Sequence, residues 1–71
     1  MGFDVELFGN RLRQLREGRG FSTTRLGNLA EIDQGTISKY ENGLREPGAS
    51  NIYSLAKVLK VSADYLIGLE D

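Results

Sequence analysis

The sequence contains no cysteine, no histidine and no tryptophan, and it has a single proline among its 71 residues. Without cysteine the chain forms no disulfide, and without cysteine and histidine it lacks the preferred zinc ligands and the usual general base. A glycine-rich phosphate loop and paired carboxylates in an apolar setting are also missing. We therefore expect no enzyme, no cofactor and no small-molecule substrate, and a reducing, cytoplasmic location fits this composition.

Long apolar segments are missing as well. No apolar run approaches the ~20 residues that span a bilayer. The first ten residues, MGFDVELFGN, lack the basic region and apolar core of a signal peptide. The length suits one small domain, residues 1–71, which buries only ~60% of the surface of its unfolded chain. We expect a domain of modest stability that does not contact a membrane.

Charge is distributed unevenly although the formal net charge is only −1. Residues 11–25 carry five arginines against one acid, Glu17, whereas residues 64–71 carry three acids and no base. The arginines are Arg11, Arg13, Arg16, Arg19 and Arg25. Both a solvated helix face and contact with an anionic partner fit this pattern.

Apolar residues recur at helical spacing between turn signals, which predicts an all-α domain without strands. The predicted helices cover residues 4–17, 22–30, 33–42, 50–60 and 62–67. Their expected N-caps are Asp4, Ser22, Asp33, Ser50 and Ser62. We expect the apolar residues of these helices to form one core, with Leu26, Leu29 and Ala30 contributed by the second helix.

The second and third predicted helices are separated by only about three residues, 31–33. So short a turn makes the helices cross steeply, near 90–120°. Their backbones then approach closely, and Gly27 supplies the small residue that this requires. We expect Gly27 to face Ile37, with Ile32 filling the corner. This is the steric arrangement of a helix-turn-helix, whose second helix enters the major groove of DNA.

The segment FSTTRLGNLAEIDQGTISKYENG, residues 21–43, resembles the Cro/lambda-repressor-like (XRE-type) helix-turn-helix family. The motif LRQLRE at 12–17, Pro47 after YENG, and LAKVLKVS at 55–62 followed by Tyr65 and Leu66 extend the resemblance over residues 7–68. It implies a compact five-helix lambda-repressor-like fold. It also implies a transcriptional regulator, of the phage or bacterial repressor type, that inserts helix 33–42 into the major groove of a palindromic operator in double-stranded DNA.

The resemblance implies roles for individual residues. The positions that read bases are Gln34, Gly35, Thr36 and Lys39, and those that contact phosphates are Ser22, Thr23, Asn42 and Arg45. Gln34 can pair with an adenine edge or bridge base and backbone, and Lys39 can read guanine or grip a phosphate. Ser22 can instead be only a helix cap, Asn42 only a helix terminator and Arg45 an ordinary loop residue.

Other implied roles are structural. An ion pair between Arg16 and Glu41 would fix the recognition helix on the first helix. The packing of the motif would rest on Leu26, Gly27, Ile32 and Ile37. The chain departs from the family pattern at three positions, where glycine is usual at Glu31, alanine at Gly27 and glutamine at Thr23. Gly35 also removes one side chain that could read a base. A left-handed backbone at Glu31 would cost about 1 kcal/mol.

A single module of this kind buries only about 600–1,000 Å² on DNA, which is too little for tight specific binding. We therefore expect a homodimer on DNA, with Tyr65, Ile67 and Leu69 as candidate dimer contacts. A domain cut from a larger regulator, monomeric in solution, is the alternative. An antitoxin or protein-interaction module of the same fold is the second functional hypothesis, although such antitoxins usually add segments that wrap the toxin.

Overall fold

The computed structural model describes residues 2–71 and contains five α-helices and no strand within them. The helices are α1 (Val5–Gly18), α2 (Thr23–Ala30), α3 (Gln34–Glu41), α4 (Ala49–Leu59) and α5 (Ala63–Ile67). The predicted five-helix, all-α class is confirmed. Within residues 2–71, none of the helices is long and apolar enough to cross a membrane.

Side-chain caps fix where most of the helices begin. The Asp4 carboxylate accepts hydrogen bonds from the Glu6 and Leu7 N–H groups, each at 3.0 Å. Ser22, Asp33 and Ser62 likewise each accept from an N–H of the turn that follows them. The prediction for α4 is wrong, because this helix begins at Ala49 and Gly48 occupies its N-cap position without a side chain. Ser50 therefore lies inside the first turn of α4.

All five helices and the α2–α3 turn contribute to one apolar core. Its buried members are Phe8, Leu12, Leu26, Ala30, Ile32, Ile37, Tyr40, Leu55, Leu59 and Leu66. Leu29 was expected among them but is 40% exposed. Leu26 and Ala30, four residues apart, occupy the inner side of the short α2, which leaves Leu29 at its edge.

The first helix contacts the end of α3 through backbone atoms at Gly9. This glycine is buried in the middle of α1. A Cβ placed on it would lie closer than 3.0 Å to the Tyr40 carbonyl oxygen and 3.0 Å from that of Glu41. No side chain fits at position 9 against the last turn of α3, so Gly9 sets how near the two backbones lie at this point.

Gly27 makes a second close approach, but not the one expected. A Cβ at Gly27 would lie 2.6 Å from the Ile32 carbonyl oxygen and 3.5 Å from the Gln34 nitrogen. The Ile32 N–H also donates to the Gly27 carbonyl oxygen at 2.9 Å. The prediction that Gly27 faces Ile37 is therefore wrong. The turn and the first residue of α3 lie against α2, whereas Ile37, in the middle of α3, is buried in the core.

Two non-glycine residues adopt the left-handed conformation where α2 and α4 end. Glu31 has φ 59° and ψ 43°, and Lys60 has φ 59° and ψ 44°. In this conformation the Cβ crowds the following carbonyl oxygen, at roughly 1–2 kcal/mol per residue. The backbone at Glu31 that the family pattern suggested is present, without the glycine that usually accompanies it.

Candidate nucleic-acid interface

The N-terminal ends of α2 and α3 lie side by side. The Gln34 Nε2 group donates to the Thr23 Oγ1 at 3.1 Å, which joins the first residues of the two helices. This adjacency follows from the short turn, because Gly27 permits the start of α3 to lie against α2. The structure thus brings together one predicted base-reading residue and one predicted phosphate-contacting residue.

The two sides of α3 differ in burial. Ile37, Tyr40 and Glu41 are buried on the side toward α1 and the core. Among the predicted base-reading positions, Gln34 and Lys39 are exposed, and Gly35 and Thr36 are half-buried. The helix therefore presents these four positions at the surface while its other side is held by the core.

Predicted phosphate-contacting residues flank α3 on both sides. Ser22 is exposed, and its Oγ accepts from the Arg25 N–H at 2.9 Å, so it caps α2. One side-chain cap leaves other first-turn N–H groups without an intrahelical partner, and such groups attract anions. Asn42, directly after α3, and Arg45, in the following loop, are both exposed.

Arg16 and Glu41 form a two-pronged ion pair between α1 and the end of α3. Arg16 Nε donates to Glu41 Oε2 at 2.7 Å, and Arg16 Nη2 donates to Glu41 Oε1 at 2.9 Å. The two side chains are only 13% and 3% exposed. Arg16 Nη1 also donates to the Phe21 carbonyl oxygen at 2.8 Å. The hydrogen bond to Glu41 raises the pKa of Arg16, although burial opposes this shift. The Arg16 guanidinium group thus makes its hydrogen bonds within the domain.

Three further arginines bond to their own chain, which the sequence analysis did not foresee. Arg13 donates to Glu41 Oε1 and to Asn42 Oδ1, each at 3.3 Å. Arg11 donates to the Tyr65 carbonyl oxygen in α5, and Arg19 to the Leu59 carbonyl oxygen at the end of α4. Carbonyl groups at helix C-terminal ends attract cations, so Arg11 in α1 and Arg19 directly after it bind α1 to the later helices. Each of the four arginines in residues 11–19 therefore makes at least one hydrogen bond within the domain.

The model of the helix-turn-helix domain family matches residues 9–71. The chain belongs to this helix-turn-helix family. The resemblance to Cro and lambda-repressor-like proteins, noted from residues 7–68, is thereby confirmed, and the α2–turn–α3 unit is its motif.

Solved helix-turn-helix proteins have nearly the same fold as this domain. A crystal structure of the P22 c2 repressor in complex with synthetic operator 9T is 31% identical, with a TM-score of 0.86 over 90% of this chain and 97% of that chain. The restriction-modification controller protein C.AhdI from Aeromonas hydrophila is 35% identical, with a TM-score of 0.84 over 89% of this chain and 96% of that chain.

Curated relatives are longer than this helix-turn-helix domain. The SPbeta prophage-derived HTH-type transcriptional regulator YonR of Bacillus subtilis is 34% identical over 61 residues, which cover 86% of this chain and 56% of YonR. Two other relatives are covered to 40% and 19% of their lengths. The chain thus spans about half or less of the length of these regulators.

The candidate dimer contacts of the helix-turn-helix domain differ in exposure. Leu69 is 74% exposed, whereas Tyr65 and Ile67 are half-buried. The guanidinium carbon of Arg11 lies 4.2 Å from the centroid of the Tyr65 ring, so one face of this ring is already covered. Ile67 and Leu69 border a shallow depression that Phe3 also lines. The free apolar surface at this end therefore lies around Ile67, Leu69 and Phe3.

An open groove of about 570 Å³ lies between α2 and α4, lined by Leu29, Tyr53 and Val58 among others. It is bordered by the C-terminal ends of these helices, at Glu31 and Lys60. Across residues 2–71, no group of three or more acidic side chains gathers into an arrangement suited to a metal ion. The adjacent N-terminal ends of α2 and α3, whose free N–H groups attract anions, are therefore the candidate site.

Proposed function

We propose that this domain binds DNA sequence-specifically as part of a transcriptional regulator, with α3 inserted in the major groove of a palindromic operator. One observation carries the proposal: the N-terminal ends of α2 and α3 are joined by the Gln34–Thr23 hydrogen bond while the opposite side of α3 is buried. A helix held in this way projects its first residues outward, as major-groove reading requires. The similarity to the P22 c2 repressor, solved on an operator, supports it.

Base reading rests on few side chains. The Gln34 carboxamide uses one N–H toward Thr23, which leaves its other N–H and its Oε1 for a base. This remaining pair of groups matches the N7 and N6–H₂ of adenine. Thr36 offers a hydroxyl and a methyl group, and Lys39 offers an ammonium group to guanine or to a phosphate. Gly35 adds no side chain, so the shape of the operator contributes to specificity.

Phosphate contacts on both sides of α3 set its position in the groove. The N-terminal turn of α2, with Ser22 and Thr23, contacts phosphates on one side of the groove, and Asn42 and Arg45 contact phosphates on the other side. The capping role of Ser22 is compatible with this, because the phosphate is met by N–H groups that the cap leaves free.

Two copies of the domain bind the two halves of the operator. The contact between them rests on the exposed Leu69 and on Ile67, which borders the same depression, together with the neighbouring Phe3. Tyr65 contributes little, because Arg11 lies over its ring. Sedimentation analysis with and without operator tests this, and Leu69→Glu should abolish two-to-one complexes while single-site binding persists.

A selection from random DNA followed by binding titrations at several salt concentrations tests the function. We expect an enriched palindrome. Gln34→Ala should weaken binding and relax one base position in each half-site, whereas Arg45→Ala should weaken all sequences alike and reduce the salt slope by about 1 per copy. Lys57→Ala removes the same charge on the exposed side of α4 and serves as the control. No enriched sequence and no salt dependence would instead favour a module that acts through protein partners.

A further inference from the structure

Asn42 is held by a side chain from another helix. Its Oδ1 accepts a hydrogen bond from Nη2 of Arg13 in α1 at 3.3 Å, across 29 positions of sequence. Arg13 is itself oriented by its Nε, which donates to Glu41 Oε1 at 3.3 Å. The Glu41 side chain is only 3% exposed and is fixed by Arg16, so this chain of contacts starts from a rigid point.

The contact determines which end of the Asn42 carboxamide faces outward. A guanidinium group has five N–H donors and no acceptor, so the Asn42 atom that meets Arg13 must be the carbonyl oxygen. The amide NH₂ is then left for a different partner. A DNA phosphate has only acceptor oxygens, and it is the partner that an outward NH₂ group suits.

We propose that Arg13 is a positioning residue for DNA binding, which holds the Asn42 carboxamide with its NH₂ group presented to a phosphate. This rests on the proposed phosphate contact of Asn42. Through Glu41, the same carboxylate that fixes α3 on α1 also orients a phosphate-binding group at the end of α3.

Arg13 also carries a positive charge on a side chain that is 43% exposed, so positioning has to be separated from simple attraction of DNA. Arg13→Lys makes this separation, because lysine keeps the charge but has one donor nitrogen in place of the Nε–Nη2 fork that reaches both Glu41 and Asn42. Arg19→Lys is the matched control, since it makes the same change at an arginine that bonds to the end of α4.

The test is a double-mutant cycle of operator affinity with Arg13→Lys, Asn42→Ala and the double variant, measured well below each melting temperature. We expect Arg13→Lys to weaken binding by about fivefold, the scale of one lost hydrogen bond, with an unchanged salt slope. The double variant should bind no more weakly than Asn42→Ala alone, and Arg19→Lys should bind as the wild type does. The NMR order parameter of the Asn42 side-chain amide should fall in Arg13→Lys and not in Arg19→Lys, while the backbone order parameters at the end of α3 stay as in the wild type; a fall at the backbone as well would indicate a merely structural role.

Each contrary outcome overturns a different statement. If Asn42→Ala weakens binding but Arg13→Lys does not, or if the two losses multiply in the double variant, the positioning role is wrong while the proposed function stands. If Asn42→Ala binds the operator unchanged, the phosphate contact is wrong and the positioning role falls with it. If the wild type selects no DNA at all, the proposed function itself fails.

Discussion

Neutralising the buried Glu41 is expected to destabilise the domain far more than neutralising an exposed surface carboxylate would. Glu41→Gln keeps the volume of the side chain but removes its charge and places an NH₂ group among N–H donors of Arg16 and Arg13. Breaking a buried pair by changing one partner costs about 3–5 kcal/mol, because the other charge stays buried. Arg16 retains 13% exposure, so we take the lower end, about 3 kcal/mol.

This loss is large for a chain of 71 residues, whose whole stability is about 4–11 kcal/mol. It corresponds to a fall in melting temperature of roughly 12–24 °C, which circular dichroism or calorimetry measures directly. The raised pKa of Arg16 means that its charge contributes to folded-state stability at every pH below its unfolded pKa and is lost only at extreme alkaline pH. We therefore expect that titration of Arg16 does not change the stability of the domain in the neutral pH range.

The companion variant replaces both partners, Arg16→Met with Glu41→Leu. No buried charge is then left alone in the pair. The remaining losses are the partner of the Phe21 carbonyl oxygen, about 1 kcal/mol, and the contact of the half-exposed Arg13 with Glu41, at most about 1 kcal/mol. Removing both partners should thus cost less than neutralising Glu41 alone. If the double variant melts at or below the temperature of Glu41→Gln, or if Glu41→Gln changes the stability by less than about 1 kcal/mol, the reasoning from burial is refuted.

Backbone geometry supplies two further predictions. Gly9→Ala should destabilise the domain by about 1–3 kcal/mol, because the added Cβ overpacks against the end of α3. Gly18→Ala is the control, since a Cβ there meets nothing within 4 Å and should leave the stability unchanged. Equal losses of stability in urea unfolding would contradict this. Glu31→Gly and Lys60→Gly should each raise the stability by about 1 kcal/mol by relieving left-handed strain, and thermal melts that show a loss in both would argue against strain at these positions.

The helical periods and capping residues predicted the elements well, because they are local properties. The spacing of apolar residues in the second predicted helix was sufficient to predict that Leu26 and Ala30 are buried, and the short segment after it predicted the turn between α2 and α3. The cap of α4 was mispredicted because a serine near the start of a helix fits two registers, and Pro47–Gly48 decides between them.

What the sequence did not predict depends on contacts distant along the chain. The role of Gly9 becomes visible only when α3 is laid across α1, since glycine inside a helix has no local signature of close packing. The bonds of Arg11, Arg13 and Arg19 join positions 28–54 residues apart. Leu29 was expected in the core because its spacing fits the apolar face of α2, but it lies at the edge of that face and borders the open groove between α2 and α4.

The residues that anchor α3 and those proposed to read DNA do not overlap. Ile37, Tyr40 and Glu41 hold the helix, and Gln34 and Lys39 are exposed on it. Exposed substitutions usually change stability by no more than about 0.5 kcal/mol, so the residues at positions 34 and 39 can vary almost independently of the fold. A lineage could therefore exchange one operator for another in single steps without passing through unfolded intermediates. The same separation makes α3 suitable for retargeting by design.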